Sequence, residues 1–145
     1  MLNLITDRTQ ADADRVKKLA TKGWTGMSEA ERSEWSAGMK GAYNYTDLNR
    51  VETAVAELAP AMGVTVTVKT DWTAVDVPRA ADMERYLGNL RALRAKNGGI
   101  SAVVLPDSMA GLTWQMANNI EQFLLDVEAF LGTHYHAGEL FCGEV

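Results

Sequence analysis

His134 and His136 are the chain's two histidines, and on an extended backbone their spacing puts both rings on one face. With Cys142 or Glu139 they could complete a mixed-ligand metal site, because imidazole, thiolate and carboxylate all bind divalent ions. The plainer alternative is a pair of solvent-exposed histidines in a terminal segment. Nucleophilic catalysis has less to build with. No G-x-S-x-G, H-E-x-x-H or P-loop pattern occurs, and a histidine-based triad would draw its base from the end of the chain. Glu29 with Glu31, and Asp126 with Glu128, stand two apart, so on a helix they point to different sides and make poor acid–base partners. Asp126 and Glu128 read instead as solvated positions beside an apolar stripe. Gly98-Gly99 lacks the strand-loop-helix glycine pattern that cradles a phosphate. These residues lead us to expect no catalytic residue, no cofactor and no metal.

Binding has more to work with. Trp24, Trp35, Trp72 and Trp114 fall at or near predicted element ends, and Tyr43 and Tyr45 lie in one connection. Aromatics at such joints either seal the edge of a core or anchor an interface. Charge is uneven as well. Nineteen acids against fourteen bases give a net charge of −5, which lacks the basic excess that neutralises a nucleic-acid backbone. From Asn97 to Val145 there is no Lys or Arg and there are six acids. That acidic third is either a solvated face or a surface that favours a basic or neutral partner.

The elements that must position these groups are mostly helices. At 145 residues, 47% hydrophobic, the chain can bury one real core. Its one cysteine leaves no intrachain disulfide to make. The opening MLNLITDRTQ has no basic region followed by a long apolar stretch, and no run approaches about 18 apolar residues, so a soluble protein without signal peptide or membrane span is expected. Thr9 with Asp12 starts a predicted helix over residues 10–22, ended by Gly23. Ser28 with Glu31 is a capping box for a second helix, which Gly38 and Gly41 let end near Ser36. Thr46 is read as the cap of a third helix over 47–59, stopped or kinked by Pro60. The alternation of Val64, Val66 and Val68 with threonines predicts a strand over 64–70. A fourth helix carries Met83, Tyr86, Leu87, Leu90 and Leu93, and residues 100–105 are a second candidate strand. Thr113 caps a last helix over 114–131 whose broad apolar face needs cover from the domain or from another copy.

Four blocks carry a family resemblance: LITDRTQADADRVKKLATKGWTGMSEAERSEWSAGMKGAYNYTDLNRVE at 4–52, VTVTVKTDWT at 64–73, VPRAADMERYLGNLRALR at 77–94 and LPDSMAGLTWQMANNIEQFLLDVE at 105–128. Together with a tail of repeated Gly-Glu units they resemble small proteins encoded in phages and prophages of Firmicutes. Relatives are richer in Tyr-Ser-Gly-Glu where this chain has Phe141-Cys142-Gly143-Glu144. The resemblance implies a product of the virion-structure genes, near tail, baseplate and fibre components, and carries no catalytic residues.

The expectation is therefore a mainly α single domain of about five helices over 1–132, with a minor β element, followed by a C-terminal extended arm over 133–145. The expected function is that of a virion structural protein, located in the virion and in the host cytoplasm during assembly. It would act through contacts with other virion proteins as a homo-oligomer or multicopy component, with no nucleic acid, membrane or enzymatic role. Candidate interface residues are Trp114, Phe123 and Phe130 on the last helix and His134, Tyr135, Leu140 and Phe141 in the arm. The alternative is an intracellular interaction protein that binds a host or phage factor through its acidic C-terminal helix, using Glu121, Asp126 and Glu128.

Overall fold

The computed structural model describes residues 2–143, and the side chains of residues 2–133. It has five helices: α1 (Gln10–Gly26), α2 (Glu29–Ser36), α3 (Tyr45–Met62), α4 (Ala80–Lys96) and α5 (Trp114–Gly143). The fold is mainly helical, as the apolar periodicity predicts.

Capping residues set the starts. Thr9 and Asp12 close a capping box on α1, and Ser28 with Glu31 closes one on α2. In each, a side-chain oxygen satisfies an orphan amide while an acid faces the positive helix end. Gly23 takes a positive φ of 70° inside α1 and kinks it instead of ending it. The cap of α3 is Asn44 and not Thr46. Asn44 Oδ1 accepts the Thr46 amide at 3.0 Å, and Asp47 Oδ2 accepts the Asn44 amide at 2.8 Å. Pro60 does not stop α3. It sits in the last turn, and the helix leaves through Gly63 at φ 69°, ψ 29°, whose amide bonds Pro60 O while that of Val64 bonds Ala59 O. Thr113 caps α5 as predicted, its Oγ1 accepting the Met116 amide at 3.2 Å. The helix is assigned as far as Gly143, past the end predicted at Leu131. The arm expected over 133–145 falls on residues whose side chains, from 134 onward, lie outside the described ones.

The main core lies between α3, α4 and α5, with α3 packed against both of the others. Val51, Val55 and Leu58 of α3 meet Leu87, Leu90 and Leu93 of α4 and Ile120, Phe123, Leu124 and Val127 of α5. Each fully buried Leu, Ile or Phe contributes about 1.5–3 kcal/mol of transfer free energy, so this three-helix junction dominates the stability of the fold. A smaller cluster of Leu19, Met27 and Met39, flanked by Val16 and Ala42, packs α1 against the connections on either side of α2.

The predicted strands are absent among the described residues, although their side-chain pattern is present. Val64, Val66 and Val68 are half-buried against the main core while Thr65 and Thr67 are exposed. The backbone of this segment finds helix side chains where a sheet would offer a neighbouring strand. Glu52 Oε1 accepts the Lys69 amide at 3.1 Å, and Thr67 O accepts from Arg85 Nη1 at 2.9 Å and Asn89 Nδ2 at 2.8 Å. Residues 100–105 are held the same way. Arg94 donates to Val103 O, and Asn119 Nδ2 donates to Val104 O at 2.9 Å. Backbone polar groups demand partners, and polar side chains from α3, α4 and α5 supply them.

Candidate functional site: an aromatic cleft

Two connections come together to form an aromatic cleft. One is the link from α2 to α3. Gly38 turns it at φ 87°, where its lack of a Cβ removes the strain, and Gly41 lets it pass against the start of α1. A Cβ at Gly41 would lie 2.2 Å from Asp12 O and 2.4 Å from its carbonyl carbon, so glycine is required there by contact. Asn44 then starts α3 with Tyr43 and Tyr45 on either side of it. The facing wall is the segment 72–78. Asn49 holds Trp72 by both main-chain groups, accepting its amide at 2.7 Å and donating to its carbonyl at 2.9 Å. The Trp72 indole donates to Glu52 Oε2 at 2.7 Å, which buries the ring's inner edge. A turn follows in which Asp76 Oδ2 accepts the Thr73 amide at 2.7 Å and its hydroxyl at 3.1 Å.

Between these walls is an open cavity of about 460 Å³ lined by Trp35, Tyr43, Tyr45, Trp72 and Asp76 among others. Tyr43, Leu48 and Pro78 also line a second, more apolar trough of about 610 Å³ that continues past Met83 and Leu87 to Met109 and Leu112. The walls mix aromatic side chains with polar ones, Ser36, Asn44, Thr46, Thr73 and Asp76. Trp35 is 38% exposed, Tyr45 40%, Val75 87% and Val77 83%. Trp35 and Tyr45 line the cleft, whereas Val75 and Val77 alternate in sequence with its lining residues Ala74, Asp76 and Pro78 and are not themselves part of the lining.

Behind the cleft the interior is charged and its charges are paired, although Arg8 Nε is buried without a hydrogen-bond partner among the described residues. Arg8 Nη2 reaches Glu121 Oε2 at 2.7 Å and Asp47 Oδ1 at 3.1 Å; Arg50 Nε reaches Glu121 Oε1 at 2.6 Å. Burial alone lowers the Arg50 pKa, but the hydrogen bonds to Glu121 and Asp47 outweigh it and hold the guanidinium charged. Arg8 also stands 5.6 Å from the Tyr43 ring centroid, and the Tyr43 and Tyr86 hydroxyls bond one another. Burial pushes both phenols well above their ordinary range, so the pair stays neutral. A second network joins Glu52 to Arg85 and to the Trp72 indole. The carboxylates of Asp47, Glu52 and Glu121 thus hold arginines and position the cleft walls. The cleft itself offers aromatic faces, hydroxyls and one carboxylate, which is equipment for binding.

The residues singled out in the sequence are scattered by the fold. Phe123 is 0% exposed, in the main core, with the Arg94 guanidinium 5.0 Å from its ring centroid. Phe130 is half-buried against the same core. Trp114 is half-buried, and its indole donates to Gln10 Oε1 at 3.1 Å, tying the starts of α5 and α1 together. His134, Tyr135, Leu140 and Phe141 lie outside the described side chains, as do the other ligands of the possible metal site, His136, Glu139 and Cys142. Among the described residues no His, Cys, Asp or Glu side chains gather in a group of three able to hold a metal ion, and no helix is long and apolar enough to cross a membrane.

The described acids of α5 are not a solvated face. Glu121 is fully buried; Glu128 Oε2 accepts the Leu2 amide at 2.7 Å, and Asp126 bonds the Ser101 hydroxyl at 2.5 Å and the Gln122 amide at 2.9 Å. They fasten the N-terminal segment and the 100–105 segment onto α5. The cleft escaped sequence reasoning as a site. Its signal was the recurrence of Trp and Tyr at element joints; the missing fact was that the joints at 35–46 and 72–78 meet. Comparison with family models, with curated proteins and with solved structures returned no match for this chain.

Proposed function

We propose that this protein is a virion structural component of a phage, of the tail, baseplate or fibre-attachment region, that works by protein–protein contact and not by catalysis. Its place in a particle rests on the family resemblance of the sequence blocks. The contact role is supported by one observation: Trp35 and Tyr45, both exposed, line a single cleft together with Tyr43 and Trp72. Contiguous apolar and aromatic surface on a small domain marks a partner site, and Trp and Tyr anchor such sites because they bury large area at little conformational cost. Capping and buried ion networks fix both walls, so the surface is formed before a partner arrives and little ordering entropy opposes docking. The protein is present in several copies, each engaging a neighbouring virion protein through this cleft.

Mass spectrometry of purified particles tests the placement. The polypeptide is expected among the particle proteins, and a particle lacking it removes the reading. The paired substitution Trp35→Ala with Tyr45→Ala tests the surface: incorporation should fall sharply while the circular dichroism and melting of the free protein stay close to wild type.

A further inference from the structure

We propose that the aromatic cleft recognises a basic side chain, and that its partner presents an extended segment in which an Arg is followed two residues later by an apolar residue. This rests on the contact reading above and names what the contact takes. Asp76 is the one charged side chain lining the aromatic cleft. Its Oδ2 is occupied by Thr73, while its Oδ1 bonds no group among the described residues, and Asp76 makes no ion pair among them. Trp35 and Tyr45 stand beside it with large exposed area. Two of the cleft's rings already carry a cation of the chain, Tyr43 that of Arg8 and Trp72 that of Lys69, as Trp24 and Phe123 do away from it with Arg32 and Arg94. Among the described residues Trp35 and Tyr45 have none. Their electron-rich faces and a carboxylate in one cavity form a binding site for a planar organic cation, which guanidinium fills best by stacking and bonding at once.

The trough fixes the rest of the segment. It adjoins the cleft across Tyr43, Leu48 and Pro78 and is walled by Met83, Leu87, Met109 and Leu112, so it takes an apolar side chain, with two methionines able to adjust to its shape. In an extended chain residues i and i+2 point the same way, roughly 6–7 Å apart, which suits two adjoining cavities.

The probe is the blocked peptide acetyl-Ala-Arg-Ala-Leu-Ala-amide, titrated into the full-length protein and read by the Trp35 indole N–H in two-dimensional nuclear magnetic resonance. Its counterpart carries citrulline, the neutral isostere, in place of Arg. The arginine peptide should give a saturable shift with an affinity about three- to fivefold above the citrulline peptide. Asp76→Asn keeps an acceptor for Thr73, so the turn survives, and should erase that difference. Equal binding of the two peptides, no saturable shift, or saturable binding of N-acetylglucosamine instead would overturn the proposal. The two readings fail separately. If Trp35→Ala with Tyr45→Ala blocks incorporation but Arg has no advantage over citrulline, the basic-segment inference falls and the contact surface stands. If Arg is preferred but incorporation is unchanged, the virion-contact reading falls and the cation site stands.

Discussion

Asn49 holds Trp72 as a strand would hold its neighbour: one amide side chain accepts the Trp72 N–H at 2.7 Å and donates to its carbonyl at 2.9 Å. Asn118 does the same for Arg8, at 3.1 and 2.9 Å. A carboxamide is the one short uncharged side chain with a donor and an acceptor side by side, so it can pair both backbone groups of one residue. These pairs stand in for the missing sheet, because they let a helix carry an extended segment on its surface.

Replacing Asn49 by Asp removes the donor and sets a carboxylate against the Trp72 carbonyl. The loss is expected to cost about 1–3 kcal/mol, the range for a buried polar group left without its partner. Urea denaturation followed by tryptophan fluorescence reads the cost. An unchanged midpoint would mean that Trp72 is held by its ring alone.

Gly41 gives a steric prediction. The backbone of Asp12 and Ala13 sits where a Cβ would be, at 2.2 to 2.8 Å, and backbone cannot swing aside as a side-chain tip can. Gly41→Ala must part α1 from the link that follows α2, with an expected cost of about 1–3 kcal/mol. Hydrogen exchange should localise the loosening to α1 and α2, because the core between α3, α4 and α5 is a separate cluster. Gly98→Ala, with open space around it, is the control and should leave stability near wild type.

Glu31 sets an acid limit on the same lobe. The Lys22 ammonium at 2.8 Å, and then the Ser28 amide, hold its carboxyl down at about 2, below its ordinary value of 4.5. Because the folded value is the lower one, the folded state gains from ionisation. That gain is complete above pH 4.5 and is lost as pH falls through the interval to about 2. A carboxyl titration by nuclear magnetic resonance should place the Glu31 midpoint near the bottom of this interval, and Glu31→Gln should flatten the stability of the α1–α2 lobe across it. A Glu31 midpoint near 4.5 would remove the Lys22 and Ser28 contacts as its cause.

Local signals were legible in the sequence and long-range ones were not. Thr9, Ser28 and Thr113 announce their helices because a cap is settled within a few residues. The valines at 64, 66 and 68 are half-buried against the core, as the period of two predicts, but no strand forms there. Alternation reports a one-sided burial of extended backbone and says nothing of whether a strand or a row of Asn, Glu and Arg side chains satisfies its amides. Asn44 outcompetes Thr46 as a cap because Asp47 closes the reciprocal bond to it, a choice visible only once the helix start is placed. The cleft needs residues 35–46 and 72–78 together, and no periodicity within either segment encodes that meeting.

Glu121 decides what the acidic stretch of α5 is for. An acid used for docking would be exposed and could be reversed at little cost, since surface charges contribute within about 1 kcal/mol. Glu121 is instead fully buried, bonded to Arg8, to Arg50 and to the Ile5 amide. Removing it with Glu121→Ala leaves two guanidiniums sharing Asp47 in a low-dielectric interior, a change that typically costs about 3–5 kcal/mol. Exposed Asp107 lies in the same acidic stretch of sequence, and Asp107→Lys should move stability by no more than a few tenths. Chemical denaturation of the two variants separates the cases. A large loss at 121 with none at 107 shows the α5 carboxylate to be an internal strut for the N-terminal segment; equal, small losses would return the acidic helix to the list of docking faces.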